Sequence, residues 1–349
     1  MIKRFAAPLV FTLCAYAHES LVDLEERRQD FVLETKRIDI PGHPMPFNPS
    51  IIQWQGRLLL SFRILPDIKR KYDSEIGLVF LNENFEVASE PQLLSLRNEY
   101  SQAPCRAEDG RLITIDDRLF IIYDDNEEPK LSKGGFRLYV AELYYDGEHF
   151  FAENVECLTQ FEGESREIRE KAWVPFNYQS QLLLAYSIDP HKIFYPRLDG
   201  SGICDTIAFS HPPIQWNWGI LRGGTPGFLH NDQYFAFFHS SKVTSTIHSN
   251  GENILHYFIG AYTFSKEPPF EVTAISSEPI VGKNFYHGIS YPGYWKPVRC
   301  VFPCGYISDE QFIWLAYGRD DHECWIAKID KAKLLQSLIP VSGGTQNSG

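Results

Sequence analysis

The chain has 349 residues, enough for one large domain or two ordinary ones, with 44% apolar and 22% charged residues, the range of a folded globular protein. A formal net charge of −12 argues against a nucleic-acid partner, because phosphate backbones demand a basic surface. Aromatic residues reach 14%, with 25 Phe and 18 Tyr, types that favour strands.

Residues 1–17 combine a basic start, an apolar stretch of about a dozen residues and Ala-Tyr-Ala, the plan of an export signal cleaved after Ala17. The expected location is therefore periplasmic or extracellular, or cytoplasmic if the segment is not a signal. The stretch is too short to span a bilayer, and no other segment is long and apolar enough. Residues 18–44 form an N-terminal extension, in which "LVDLEERRQDFVL" has helical periodicity.

From residue 45 a hairpin pattern repeats. "SIIQWQGRLLLSFRI" starts at Ser50 and "RLITIDDRLFIIYDD" at Arg111. "AWVPFNYQSQLLLAYSI" starts at Ala172, "TPGFLHNDQYFAFFHSS" at Thr225 and "VFPCGYISDEQFIWLAYGRDD" at Val301. Each is a short strand, a polar turn and an apolar second strand. Further strand-like runs lie between them, among them "FRLYVAELYY" and "ILHYFIGAYTF". Roughly four strands per unit in five units predict an all-β fold, a five-bladed β-propeller over residues 45–335. "DKAKLLQSL" is a second helix candidate, and residues 336–349 read as a flexible tail.

Of seven Cys, Cys14 lies in the signal. The other six are scattered, which permits disulfides but makes free buried thiols the default. Cys300 and Cys304 have no second Cys or His pair at ligand spacing, so no metal is expected. No serine-nucleophile elbow, phosphate-binding glycine loop or dinucleotide fingerprint is present.

In a propeller the innermost strands converge on a central channel. Polar residues recur at these positions: Asn48 with Ser50, Asp109 with Arg111, Lys171, Thr225, and, at the far ends of second strands, Arg63, His239 and Asp321. Burying such groups is costly unless they pair or bind something. Carboxylates and cations converging on one cleft suit a polyhydroxylated ligand and an acid poised for proton transfer.

The segments "NPSI" (48–51), "SFR" (61–63), "AEDGRLI" (107–113), "EKAWVPF" (170–176), "RGGTP" (222–226), "FFH" (237–239), "VFPCG" (301–305) and "YGRDD" (317–321) resemble, in order, motifs of glycoside hydrolase family 130, the β-1,4-mannoside phosphorylases and related mannosidases. "YFIGAYTFSKEPPFEV" (257–272) fits the same series, which covers roughly residues 45–330. The resemblance implies a five-bladed propeller, with Asp109 as general acid. It places Asn48, Ser50, Arg63, Lys171 and Asp321 on the sugar beside the scissile bond, and His239 and Arg137 near phosphate. Arg111 is expected to hold a carboxylate, and Thr225 to line the ligand channel. Gly110 stands where the family has Pro. The expected activity is inverting cleavage of β-mannosides or similar glycans, without a cofactor. Export and the few arginines available for phosphate favour hydrolysis; the alternatives are phosphorolysis with inorganic phosphate as co-substrate, and a non-catalytic glycan-binding propeller.

Overall fold

The computed structural model describes residues 21–67, 69, 73–96, 106–126, 135–165, 169–288 and 297–341. The expected export signal therefore lies outside the described residues. The chain enters through β1 (Val32–Ile38). The first sheet runs β2 (Phe47–Trp54), β3 (Arg57–Ile64), β4 (Glu75–Leu81) and β5 (Gln92–Leu93). The second runs β6 (Ala107–Ile115), β7 (Arg118–Asn126), β8 (Phe136–Tyr145) and β9 (Phe150–Leu158). The third runs β10 (Val174–Tyr178), β11 (Gln181–Ile188), β12 (His191–Pro196) and β13 (Cys204–Ser210).

In the fourth sheet β14 (Ile220–Gly223) and β15 (Phe228–His230) both pair with β16 (Gln233–Thr244), followed by β17 (Ile254–Ser265) and β18 (Val272–Ile275), with β19 (Val298–Arg299) beside β17. The last sheet contains β20 (Val301–Ser308), β21 (Phe312–Arg319) and β22 (Glu323–Asp330). A short helix, α1 (Lys331–Ser337), leads to β23 (Ile339–Pro340). The architecture is all-β, a β-propeller arrangement.

The turn chemistry explains the hairpins. Gln55-Gly56, Gln179-Ser180 and Asn231-Asp232 each have positive φ at both positions and join strands through two-residue loops. That geometry matches the right-handed twist of the flanking strands. Apolar layers then fill the gaps between consecutive sheets. Trp54 and Phe80 meet Leu119 and Tyr139; Ile113 and Phe120 meet Trp173 and Phe194; Phe176 meets Tyr234 and Phe264. Phe237 and Phe258 meet Leu315 and Tyr317, and Ala316 and Ile326 of the last sheet meet Ile51 and Leu60 of the first, so the layers form a ring. Each fully buried large side chain contributes about 1.5–3 kcal/mol relative to exposure.

Two sequence expectations are corrected. The segment at 21–33 is not a helix. One 3₁₀ turn, Leu24–Arg27, is capped by Asp23 and followed by β1. The buried Glu25 carboxylate accepts the Asn284 and Tyr286 amides at 3.2 and 3.0 Å, anchoring the turn, while β1 completes the last sheet by pairing with β22. The extension is thus woven into the ring. The tail expected from residue 336 is likewise ordered at its start, since β23 pairs with β18 and the Val341 amide donates to the Thr273 carbonyl at 2.9 Å. The second helix candidate forms as α1, with Asp330 as N-cap. Cys157, Cys204, Cys300, Cys304 and Cys324 are buried free thiols.

Candidate active site

Strict alternation along a strand would send Glu108 and Asp109 to opposite faces. The register of β6 against β7 instead shifts between Glu108 and Arg111, and Asp109 takes φ +54°. The same device recurs in β2, where the register shifts between Phe47 and Ser50 and Asn48 takes φ +48°. Such bulges re-aim side chains, and left-handed non-glycine residues concentrate at functional sites. The inner strand β2 packs against both β6 and β20, which brings the two bulges together. Gly318 makes this possible from the last sheet: a Cβ there would lie 2.1 Å from Asn48 Oδ1.

The result is a buried knot of charges. Asn48 Nδ2 donates to Asp109 Oδ1 at 2.7 Å, and Arg63 Nη1 to the same oxygen at 3.2 Å. Arg63 Nη2 pairs with Glu108 Oε1 at 2.8 Å. Lys171 Nζ bonds Glu108 Oε2 and lies 3.8 Å from Asp109 Oδ2. Arg63, Glu108 and Asp109 are nearly enclosed, whereas the Lys171 side chain keeps 20% of its surface. Burial opposes the Asp109 charge, but Lys171, Arg63, Arg111 and Asn48 together hold its carboxyl well below the usual range. Burial also opposes the Lys171 charge, yet Glu108, Asp109 and Asp124 raise its pKa, so the ammonium persists. Carboxylates paired with cations in this way present a fixed, polar hydrogen-bonding surface.

The other expected site residues divide by accessibility. Arg111, Ser50 and Thr225 are fully buried. Arg111 Nε donates to the Gly224 carbonyl at 2.5 Å, and its Nη1 to the Asp109 carbonyl at 3.0 Å and lies 4.0 Å from Asp124 Oδ2. Ser50 Oγ accepts the Leu112 amide, tying β2 to β6. Thr225 Oγ1 accepts the Phe237 amide and donates to the Pro226 carbonyl. These three brace the inner strands and have no surface to offer a ligand. Arg137 is committed to Glu164, at 3.3 Å, and to the Phe136 carbonyl. His239 Nδ1 donates to the Gly223 carbonyl at 2.7 Å. Burial, then Arg222 and Arg111, lower its pKa to about 3, so the imidazole is neutral with Nε2 as acceptor.

Asp321 takes φ +56° in the turn after β21 and is half-buried. It hydrogen-bonds the Cys300 thiol, whose pKa is pushed up by burial and by Asp321, Asp320 and Asp109. Asn48, Arg63, Asp109 and Lys171 therefore form one cluster, with Asp321 and His239 on its flank, while Arg137 pairs with Glu164.

Several groups were not assigned from the sequence. Glu108 bridges Arg63 and Lys171; its place in "AED" was visible, but not the bulge that turns it inward. Tyr257 stacks on the His239 ring at 5.8 Å and feels the charges of Asp321, Arg222 and Asp109. Arg222 stands opposite His239 in the β14–β16 ladder, is exposed, and makes no ion pair among the described residues. Asn48 Oδ1 and Arg111 Nη2 are buried without a hydrogen-bond partner among the described residues. Asp124, fully buried, is raised to about 7 by burial against the pull of Lys171 and Arg111.

Glu170, 1% exposed, is raised to about 7 by burial, partly offset by Arg137 and by hydrogen bonds with Trp173 and Tyr186. Its proton contributes stability that is complete below the ordinary carboxyl value of 4.5 and is lost as pH rises through 7. Glu170→Gln imitates the protonated acid. Its melting temperature should match wild type below pH 5 and exceed it above pH 7, by the equivalent of at most about 3 kcal/mol. Asp124 titrates in the same window, so a residual slope should remain. Parallel curves over pH 5–8 would show that Glu170 is charged throughout.

Neither a family model nor a curated protein matches this chain. Solved structures do. A β-1,2-mannobiose phosphorylase from Listeria innocua superposes with a TM-score of 0.57 at 16% identity, covering 87% of this chain and 92% of its own. A mannose phosphorylase from Leishmania mexicana, in complex with phosphate ion, gives 0.58 at 13%, covering 91% and 93%. A glycosyl hydrolase from Bacteroides ovatus gives 0.58 at 13%, covering 86% and 87%. At such identities the likeness is one of fold, and it extends over most of each chain.

Proposed function

We propose that this protein cleaves β-mannosides by inversion, on a propeller of five blades in which the seven-stranded sheet counts as one. The observation that carries the reading is the Asn48–Arg63–Glu108–Asp109–Lys171 knot where inner strands meet, on a fold shared with mannoside phosphorylases. Asn48, Arg63, Lys171 and Asp321 are the sugar-contacting groups, and Asp109 is the proton donor. At rest Asp109 is a carboxylate that accepts hydrogen bonds from sugar hydroxyls. A ligand that draws Lys171 Nζ onto itself loosens the hold on that charge, so Asp109 takes a proton from solvent as the ligand enters and gives it to the leaving oxygen. Attack on the opposite face of the anomeric carbon breaks the glycosidic bond.

Phosphate is the favoured attacking group. Arg222 supplies an exposed guanidinium opposite His239, and the Leishmania structure of the same fold holds a phosphate ion. This reverses the sequence expectation of hydrolysis, because Arg222 adds an exposed cation opposite His239. The test is a screen of β-1,2- and β-1,4-mannobiose with and without inorganic phosphate. Phosphate-dependent release of mannose 1-phosphate is expected. Release of mannose alone would make the protein a hydrolase, and absence of turnover on both sugars would overturn the reading. A non-catalytic glycan-binding propeller is the second reading, favoured by the pinned charge of Asp109, and predicts binding of the same sugars without turnover.

A further inference from the structure

We propose that the groove between the first and last sheets is a second carbohydrate site, which seats a neutral oligosaccharide chain on Phe85 and Trp314. The groove has a volume of about 610 Å³, in the range of small-molecule sites. It is remote from the charged knot. Gln53, on its wall, lies five residues along β2 from Asn48, roughly 15 Å at about 3.3 Å per residue.

Its chemistry is that of a sugar-binding surface. Phe85 and Trp314 lie 6.1 Å apart, each half-buried, with part of their surface packed on the apolar layer and part lining the groove. Aromatic faces of this kind match the apolar C–H face of a pyranose. Phe85 is presented at a conformational cost. It takes φ +58°, a region that disfavours a bulky side chain. The 82–86 loop fixes it there: the Phe85 amide donates to the Asn82 carbonyl, and Asn82 Oδ1 accepts the Asn84 and Glu86 amides. The Gln53 and Asn84 side-chain amides and the Trp314 indole N–H make no hydrogen bond among the described residues, leaving donors and acceptors for hydroxyl groups.

Charge points to a neutral occupant. Lys36 Nζ is taken up by the Asn84 carbonyl at 2.6 Å and by Glu86 at 3.5 Å, and Lys328 Nζ sits 4.0 Å from the Phe312 ring centre. The lining thus mixes both signs and concentrates neither, unlike an anion or cation site. The choice of a glycan over another neutral ligand rests on the proposed action on mannosides: a polymer held here would be kept near the site that cleaves its ends.

The test is affinity electrophoresis of the full chain in native gels containing galactomannan, yeast mannan or xylan. At least one should retard the wild type, and Trp314→Ala should weaken that affinity at least about ten-fold while mannobiose turnover is unchanged. Phe85→Gly removes the second ring and relieves the positive φ, so it should fold and lose retardation even if the tryptophan variant does not fold. Equal retardation of wild type and Phe85→Gly, or a wild type retarded by none of the three polymers, would overturn the proposal. Retardation without mannobiose turnover would sink the catalytic reading alone, and turnover without retardation would sink this one alone.

Discussion

Asp109→Asn is expected to lower mannoside turnover by about 10²–10⁴-fold, the usual contribution of a positioned general acid. The replacement is unusually clean. Asp109 sits at φ +54°, and Asn tolerates the left-handed region as well as Asp does. The amide oxygen can still accept from Asn48 and Arg63, so the ligand-facing groups stay in place. Loss of the charge is cushioned. Asp124 is raised to about 7 partly by the charge of Asp109 and would ionise more fully once that charge is gone. Sugar affinity should therefore change little, and melting temperature should fall only by the part of the Asp109 charge's stabilisation that Asp124 does not replace. Turnover, dissociation constant and melting temperature measured on this one variant separate the roles. Full activity would mean that Asp109 is not the proton donor, and a collapse of stability would make it a structural keystone.

The fold was largely legible because its signals are local. Polar two-residue turns between apolar runs mark hairpins wherever they occur, and Gln55-Gly56 and Asn231-Asp232 adopt the conformations that their residue types favour. What the sequence hid was non-local or irregular. The segment around Glu25 has helical spacing, but the carboxylate is claimed by amides more than 250 positions away, and Val32 onward is claimed by β22. At the site, Asn48, Arg63, Asp109 and Lys171 were legible as polar residues at repeated positions. Glu108 was not, because its orientation depends on a bulge that alternation does not foresee. Ser50, Arg111 and Thr225 occupy repeat positions that face neighbouring strands, and periodicity alone does not distinguish bracing from binding. Arg222 shows its relevance only through its cross-strand partner, His239.

Arg63→Met should be the most destabilising single change in the knot, costing about 3–5 kcal/mol, the usual result of removing one partner from a buried ionic network. Arg63 serves two carboxylates, Glu108 at 2.8 Å and Asp109 at 3.2 Å, and all three side chains are about 5% exposed. Met fills much of the volume but leaves Lys171 as the main counter-charge within reach of both acids. The cost should depend on pH, and its sign is fixed by Asp109. The Asp109 carboxyl is depressed in the folded protein, so it adds stability that is present above the ordinary carboxyl range and is lost only as pH falls through the depressed value. Without Arg63 the depression shrinks, so Asp109 protonates at a higher pH in the variant than in wild type. The gap in melting temperature, on the order of 10 °C near pH 7, should therefore hold down to the ordinary carboxyl value of 3.8 and narrow as pH falls below it. Arg63→Lys restores the charge but not the two-armed geometry, and should recover part of the loss. A gap that keeps its size as pH falls below 3.8 would assign the effect to packing, and no gap at all would mean that the knot is held by Lys171 and Asn48 alone.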